Sequence, residues 1–118
     1  MAASYRYTQL SDRITDVSTA QTLYIPVTAG SEGKVTQVKT ALGGAISGAD
    51  SKVVVSVNST VLGTIVIANT SSAAGDIDTL DVSSPTAGYV KAGDYIKVAC
   101  GGESTDTASA GVTIDILR

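Results

Sequence analysis

Short runs of β-branched residues alternate with turn residues along most of this chain, and that pattern restricts it to an all-β fold. Residues 52–58 and 94–99 show the pattern, since apolar side chains recur there at every second position between stretches of Gly, Ser, Thr, Ala and Asp. A period of two is typical of a strand with one buried face, and no long segment has the 3.6-residue period of a helix. Parallel pairing needs crossover helices, so antiparallel strands are expected.

The predicted strands are short and are separated by turn signals, which favours a sandwich. They cover residues 22–27, 34–42, 52–58, 61–68, 94–100 and 111–117, with a further short strand at 77–82. This pattern predicts an antiparallel β-sandwich, jelly-roll-like or alternatively immunoglobulin-like. Pro26 places the first strand at an edge or a bulge, because proline cannot donate to a ladder. The 61–68 strand is apolar on both faces and is predicted to be central.

The predicted core is aliphatic, because Val, Ile, Leu and Ala supply nearly all of the apolar volume and five Tyr are the only aromatic residues. Four strand residues are expected to be buried in it: Val55, Ile65, Ile96 and Ile114. Cys100 is predicted to be a small buried hydrophobe, since its sequence neighbours lack the basic cluster that activates a thiol.

The first twenty residues carry mixed charge and tyrosine without clear alternation. We therefore predict an N-terminal extended arm at residues 1–20 and a β-sandwich domain at residues 21–118. Tyr and Arg dominate the contact energy of many interfaces, because they combine area with a polar tip. The candidate contact residues in the arm are Tyr5, Arg6, Tyr7 and Arg13. The alternative is that the tyrosines of the arm pack back onto their own sandwich.

The residue types that most enzymes use are missing. The chain has no His, no Trp and no Phe and only one Cys, so Ser/His and Cys/His nucleophilic sites are excluded and the usual zinc ligands are absent. A two-carboxylate glycosidase stays formally open, although such a site would usually add aromatic platforms for sugars. We predict a protein that is not an enzyme and has no cofactor.

One acidic segment is a candidate calcium site. It places Asp76, Asp78 and Asp81 at the first, third and sixth positions of a short run. Calcium favours clustered oxygen ligands, but a loop of the EF-hand type needs Asp or Asn at its fifth position and Gly at its sixth. Leu80 and Asp81 occupy those positions, so we favour the solvated face of a short strand and predict no structural metal.

Charge argues against a nucleic-acid partner, and hydropathy argues against a membrane partner. A net charge of −3 argues against nucleic acid, whose binding needs a basic stripe. No apolar run approaches the ~20 residues of a spanning helix, so no membrane partner is expected.

The first ten residues lack the apolar stretch of a secretion signal, and one Cys cannot form an internal disulfide. Both features predict synthesis in a cytoplasm.

Six turn-and-strand motifs follow one another along the chain. They are GAISGAD at 44–50, KVVVSVN at 52–58, SAAGD at 72–76, KAGDYIKV at 91–98, GGEST at 101–105 and AGVTIDI at 110–116. In this order they resemble the small capsid decoration (cement) proteins of tailed bacteriophages. The resemblance implies a β-sandwich that binds the outside of a phage capsid, contacts several major capsid protein subunits and stabilises their lattice.

The resemblance also implies a homo-oligomer, with a homotrimer favoured and a homodimer possible. Its location would be the outer capsid surface of the virion, after synthesis in the host cytoplasm. Terminal arms often make the capsid contacts in such proteins, so Tyr5, Arg6, Tyr7 and Arg13 become candidates for capsid or subunit contact.

The alternative function is a receptor- or carbohydrate-binding module of a phage fibre or an adhesin. A sugar binder would usually expose Trp, or several clustered Tyr, on one sheet face or loop. Here three of the five tyrosines lie at or before Tyr24, and Tyr89 and Tyr95 stand singly. The sequence therefore favours the capsid function.

Overall fold

Nine β-strands and no helix make up the described part of the chain, which is residues 7–84 and 86–118 of a computed structural model. The strands are β1 (Tyr7–Ile14), β2 (Gln21–Pro26), β3 (Gly33–Leu42), β4 (Ser51–Val57), β5 (Thr60–Ile67), β6 (Ile77–Asp81), β7 (Tyr89–Val90), β8 (Tyr95–Cys100) and β9 (Ala110–Leu117). Each predicted strand is present within one residue of its expected bounds, and β1 and β7 are additional. The all-β prediction is confirmed.

Strand pairing is nested around one hairpin, which makes the fold a jelly roll. A tight turn joins β4 to β5, and outward from that hairpin β3 pairs with β6, β2 with β8 and β1 with β9, all antiparallel. Rolling up this ribbon brings β9 beside β3 and β8 beside β4. Sheet A then has the order β1-β9-β3-β6, with β7 also on β3, and sheet B has the order β2-β8-β4-β5. Of the two sandwich topologies expected, the jelly roll is the one found.

The core between the sheets is aliphatic, as predicted. The expected core residues are all buried: Val55, Ile65, Ile96 and Ile114. Cys100 is buried too, and burial raises the pKa of its thiol, which fits a packing role better than a reactive one. No aromatic side chain among the described residues lies in this core.

A bulge in β3 changes which residues reach the outer face of sheet A. The register with β9 shifts between Val35 and Gln37, so Val35 and Val38 both face the core although they are three residues apart. Thr36 and Gln37 are consecutive, and both lie on the outer side. A bulge re-aims side chains in this way because two residues on one strand oppose one residue on its partner.

The prediction that residues 1–20 form an arm outside the sandwich is wrong for the residues that the structure describes. Residues 7–14 form β1, which pairs along its whole length with β9 as an edge strand of sheet A. Ile14 and Val17 are fully buried in the core. Tyr5 and Arg6 lie outside the described residues.

The prediction that the 61–68 strand is central is also wrong, because β5 is an edge strand of sheet B. Its inner face carries the buried Ile65 and Ile67, whereas Val61 and Val66 are exposed on the outer face. Apolar residues occur on both faces of β5 because its outer face exposes two valines, and not because the strand is central. Pro26 lies in β2, the other edge strand of sheet B, as predicted.

Replacing Ile96 by Ala should destabilise the protein by about 2–5 kcal/mol, through lost transfer energy and a residual cavity. Ile96 is fully buried in β8, between Ile25 and Val57 of the neighbouring strands. The exposed Val66→Ala variant is the matched control and should stay within about 0.5 kcal/mol of the parent. Denaturant unfolding measures both, and an unchanged midpoint for Ile96→Ala would contradict the assignment of this core.

Deleting residues 1–14 should remove an edge strand, uncover the backbone of β9 and abolish cooperative unfolding or lower the Tm by many degrees. Deleting residues 1–6 leaves β1 in place and is the matched control, with cooperative unfolding expected to persist. Differential scanning calorimetry of both proteins tests this difference. Equal Tm values for the two truncations would show that β1 contributes nothing to the sandwich.

Candidate functional site

The predicted contact residues do not form one cluster. Tyr7 and Arg13 are both exposed on the outer face of sheet A, at opposite ends of β1. Six residues of extended strand separate their Cα atoms by about 20 Å. Tyr5 and Arg6 lie outside the described residues, so the structure does not place them relative to this pair.

The outer face of sheet B instead brings together two tyrosines that are distant in sequence. The rings of Tyr24 on β2 and Tyr95 on β8 lie 5.5 Å apart between centroids, at an interplanar angle of 68°. The Lys97 ammonium lies 6.0 Å from the centroid of the Tyr24 ring. Edge-to-face rings and a cation over a ring face are both favourable arrangements. The pair remains accessible, with Tyr24 exposed by 60% and Tyr95 by 37%.

Valines continue this surface toward the other edge of sheet B. The register places Val61 and Val66 on its outer side, and they are exposed by 61% and 45%. We call this surface the tyrosine face, and its main residues are Tyr24, Lys52, Val54, Val61, Val66, Tyr95 and Lys97. The four strands of sheet B contain two lysines, Lys52 and Lys97, and no Asp or Glu. In the register Lys97 and Ser56 lie between Tyr24 and Val61, so exposed aromatic and aliphatic side chains alternate with polar ones on this face.

The outer face of sheet A has the opposite chemistry. In register across β1, β9, β3 and β6 lie Gln9, Asp115, Gln37 and Asp81. The Gln9 amide donates to an Asp115 carboxylate oxygen at 2.9 Å, and the Gln37 amide donates to an Asp81 oxygen at 2.7 Å. With Tyr7 and Thr36, these residues line an open cavity of about 580 Å³, which we call the amide groove.

The predicted calcium segment directs its three carboxylates to different places. Asp76 closes a turn by accepting from the Ala73 N–H at 2.9 Å, and Asp81 belongs to the amide groove. Asp78 takes an inward position on β6, opposite the buried Thr40. Within residues 7–84 and 86–118, no three Asp, Glu or Cys side chains converge in a way that could hold a metal ion.

The strand formed by this segment is turned the other way from the one expected. Ile77 is 65% exposed, whereas Asp78 is half-buried. Burial raises the pKa of the Asp78 carboxyl above its ordinary value near 3.8, and the charge of Asp76 raises it further. The charged form of Asp78 therefore destabilises the folded protein at the edge of sheet A.

No helix in the described ranges has the length and apolar character needed to cross a membrane.

Comparison with known proteins supports the fold and goes no further. No family model matches the sequence, and no curated protein matches it. The dimeric latent PorU of Porphyromonas gingivalis contains a similar structure, with a TM-score of 0.54 and 14% sequence identity over 98% of this chain. A GH87 α-1,3-glucanase catalytic unit from Streptomyces thermodiastaticus strain HF3-3 gives a TM-score of 0.41 and 14% identity over 93% of this chain. This chain spans only 13% of the PorU chain and 25% of the glucanase chain.

Replacing Asp78 by Asn should raise the Tm at about pH 7 and lose this advantage at about pH 3. A carboxyl whose pKa is raised in the folded state binds its proton more tightly there than in the unfolded chain. Stability therefore falls as the pH rises from the ordinary pKa through the raised one. The neutral amide removes that penalty.

Thermal unfolding of both proteins across this pH range is the measurement. Asp81→Asn, on the same strand, controls for the removal of one negative charge. A stabilisation by Asp78→Asn that was the same at both pH values would contradict an electrostatic cause.

Proposed function

We propose that this chain is a non-enzymatic structural protein that binds the outside of a phage capsid and stabilises the lattice of major capsid subunits. The observation that carries the proposal is the tyrosine face, an exposed aromatic and aliphatic surface on a rigid sheet. The motifs that resemble capsid decoration proteins supply the class of partner. The jelly roll is compatible with this function but does not prove it, since folds of this type serve many functions.

The chemistry of the tyrosine face suits a broad, flat protein contact. Removing apolar area from water contributes about 25 cal/mol per Å², and the Tyr24–Tyr95 pair offers area with few rotatable bonds. Lys52 and Lys97 complement carboxylates on the partner. Because only two cations are involved, we expect attachment to depend modestly on salt.

Several copies acting together would strengthen a weak single contact. A homotrimer is favoured and a homodimer is possible, both from the resemblance. In either case each further contact to the same capsid becomes intramolecular and gains from effective concentration. The protein would then reside on the outer capsid surface of the virion after synthesis in the host cytoplasm.

The capsid contact that we propose for the arm is limited to residues 1–6. Tyr5 and Arg6 stay candidate capsid contacts, while Tyr7 and Arg13 lie on sheet A, away from the tyrosine face. The protein that lacks residues 1–6 tests this role directly, since it retains β1.

The alternative is a receptor- or carbohydrate-binding module of a phage fibre or an adhesin. The amide groove favours it, because amides and carboxylates can bind hydroxyl groups. The Tyr24–Tyr95 pair favours it as well, since Tyr95 does not stand singly as expected but forms a tyrosine cluster on one sheet face. Under this alternative the intact protein would not bind a capsid.

Co-sedimentation with undecorated capsids of the phage that encodes the chain tests the proposal. Tyr24→Ala and Val61→Asp should each weaken binding by about tenfold or more, because the first removes an exposed aromatic ring from the contact and the second places a charge in it. Tyr89→Ala is the matched control, since Tyr89 is an equally exposed tyrosine on sheet A, and it should bind like the parent.

Full binding by both face variants would move the contact away from the tyrosine face. Failure of the intact protein to bind would overturn the capsid function and favour the alternative. Analytical ultracentrifugation of the free protein, without capsids, measures its oligomeric state.

A further inference from the structure

We propose that the amide groove binds a neutral saccharide chain, on the side of the sandwich opposite the tyrosine face. The proposal goes beyond capsid attachment and does not require it. It rests on the groove's two amide–carboxylate pairs, on the tyrosine at its end and on the continuity of the groove across sheet A.

Each amide–carboxylate pair is preorganised and has hydrogen-bonding capacity left over. In the Gln9–Asp115 pair the amide donates one N–H to one carboxylate oxygen, at 2.9 Å. The second N–H, the amide carbonyl and the other carboxylate oxygen form no hydrogen bond with the described residues, so they can bind a ligand. A donor flanked by acceptors on planar groups complements neighbouring hydroxyls of a sugar ring, which both donate and accept.

The second pair repeats this arrangement across the sheet. Gln37 and Asp81 lie on β3 and β6, whereas Gln9 and Asp115 lie on β1 and β9. The two pairs are offset by two strands, or about 10 Å, which is roughly the length of a disaccharide. A chain that lies across the strands could therefore present successive sugar units to equivalent groups.

The groove also provides an apolar platform and room for a longer ligand. Tyr7 lines one end and is 63% exposed, so its ring can pack against the C–H face of a sugar. Gln9 and Asp115 also line an adjoining cavity of about 190 Å³, which extends along sheet A to Lys39, Thr113 and Gly111. A side chain added at Gly111 would meet no described atom within 4 Å and would project into open space.

The charges of the groove select against anionic ligands, and its polar groups select against apolar ones. Asp81 and Asp115 would repel anionic sugars, phosphates and nucleic acid. An apolar ligand would leave the amides and carboxylates without partners, which is costly once water is excluded. A neutral polyhydroxylated chain satisfies both constraints.

The experiment probes the intact protein with an array of neutral and sialylated oligosaccharides, followed by titration calorimetry with the strongest binder. We expect neutral oligosaccharides to bind and sialylated ones not to bind. Gln37→Ala and Tyr7→Ala should each reduce the affinity by about tenfold or more. Gly111→Val should reduce binding of longer chains more than that of disaccharides, because it fills the adjoining cavity without a clash in the fold.

Tyr24→Ala is the matched control, because it removes an exposed tyrosine from the opposite sheet and should leave saccharide binding unchanged. Unfolding curves of all variants exclude loss of fold as the cause. Absence of any neutral binder, a preference for sialylated ligands, or full binding by both groove variants would overturn the proposal. Gln37→Ala should still co-sediment with capsids, so failure of the groove and failure of capsid attachment give different results.

Discussion

The packing of Val and Ile side chains between the two sheets is the interaction on which the rest of the structure depends. The largest fully buried side chains are all of these two types, and they come from both sheets. β-Branched side chains are stiff and suit a pleated surface, so they fill a thin layer with little entropy to lose. A layer of this kind holds no aromatic ring among the described residues, so the four described tyrosines are left at the surface. The same constraint that builds the core therefore supplies the aromatic area of the outer faces.

Hydrogen bonds between two turns also stabilise the nested strand pairing. Asn58 adopts a φ of 52° in the β4–β5 turn, donates to an Asp94 oxygen at 3.2 Å and accepts from the Tyr95 N–H at 3.1 Å. The other Asp94 oxygen accepts from the Lys91 N–H, and these bonds hold the pKa of that carboxyl below its ordinary value. Asp94 thus contributes stability that is present above its ordinary pKa and is lost as the pH falls through the lowered one. The Asn58 amide therefore ties the innermost hairpin to the turn before β8.

Alternation along the chain was enough to predict every strand except β1 and β7, but it could not predict which strands pair with one another. β1 escaped the prediction because Thr8 and the charged Asp12 share its inward side with Leu10 and Ile14. β5 was placed at the centre because exposed valines looked like a second buried face. The Tyr24–Tyr95 pair and the amide groove depend on the register of strands that are far apart in sequence. Residue types signalled that contacts were plausible, but only the pairing of β2 with β8, and of β9 with β1 and β3, brings these side chains together.

A molecule with exposed apolar residues on one face must also avoid aggregation through its strand edges. The edges of the two sheets meet in pairs here, with β1 beside β2 and β5 beside β6. The edge strand β6 of sheet A carries a half-buried carboxylate on its inward side, Asp78, opposite the buried Thr40. Inward charges of this kind discourage edge-to-edge pairing, which gives a physical reason for a carboxyl whose raised pKa shows that it costs stability. Such protection leaves the faces as the surfaces open to partners. The strands of sheet B expose tyrosines, valines and lysines and contain no carboxylate, whereas the outer face of sheet A is lined by amides and carboxylates. The sandwich can therefore present two different chemistries in opposite directions without one contact competing with the other.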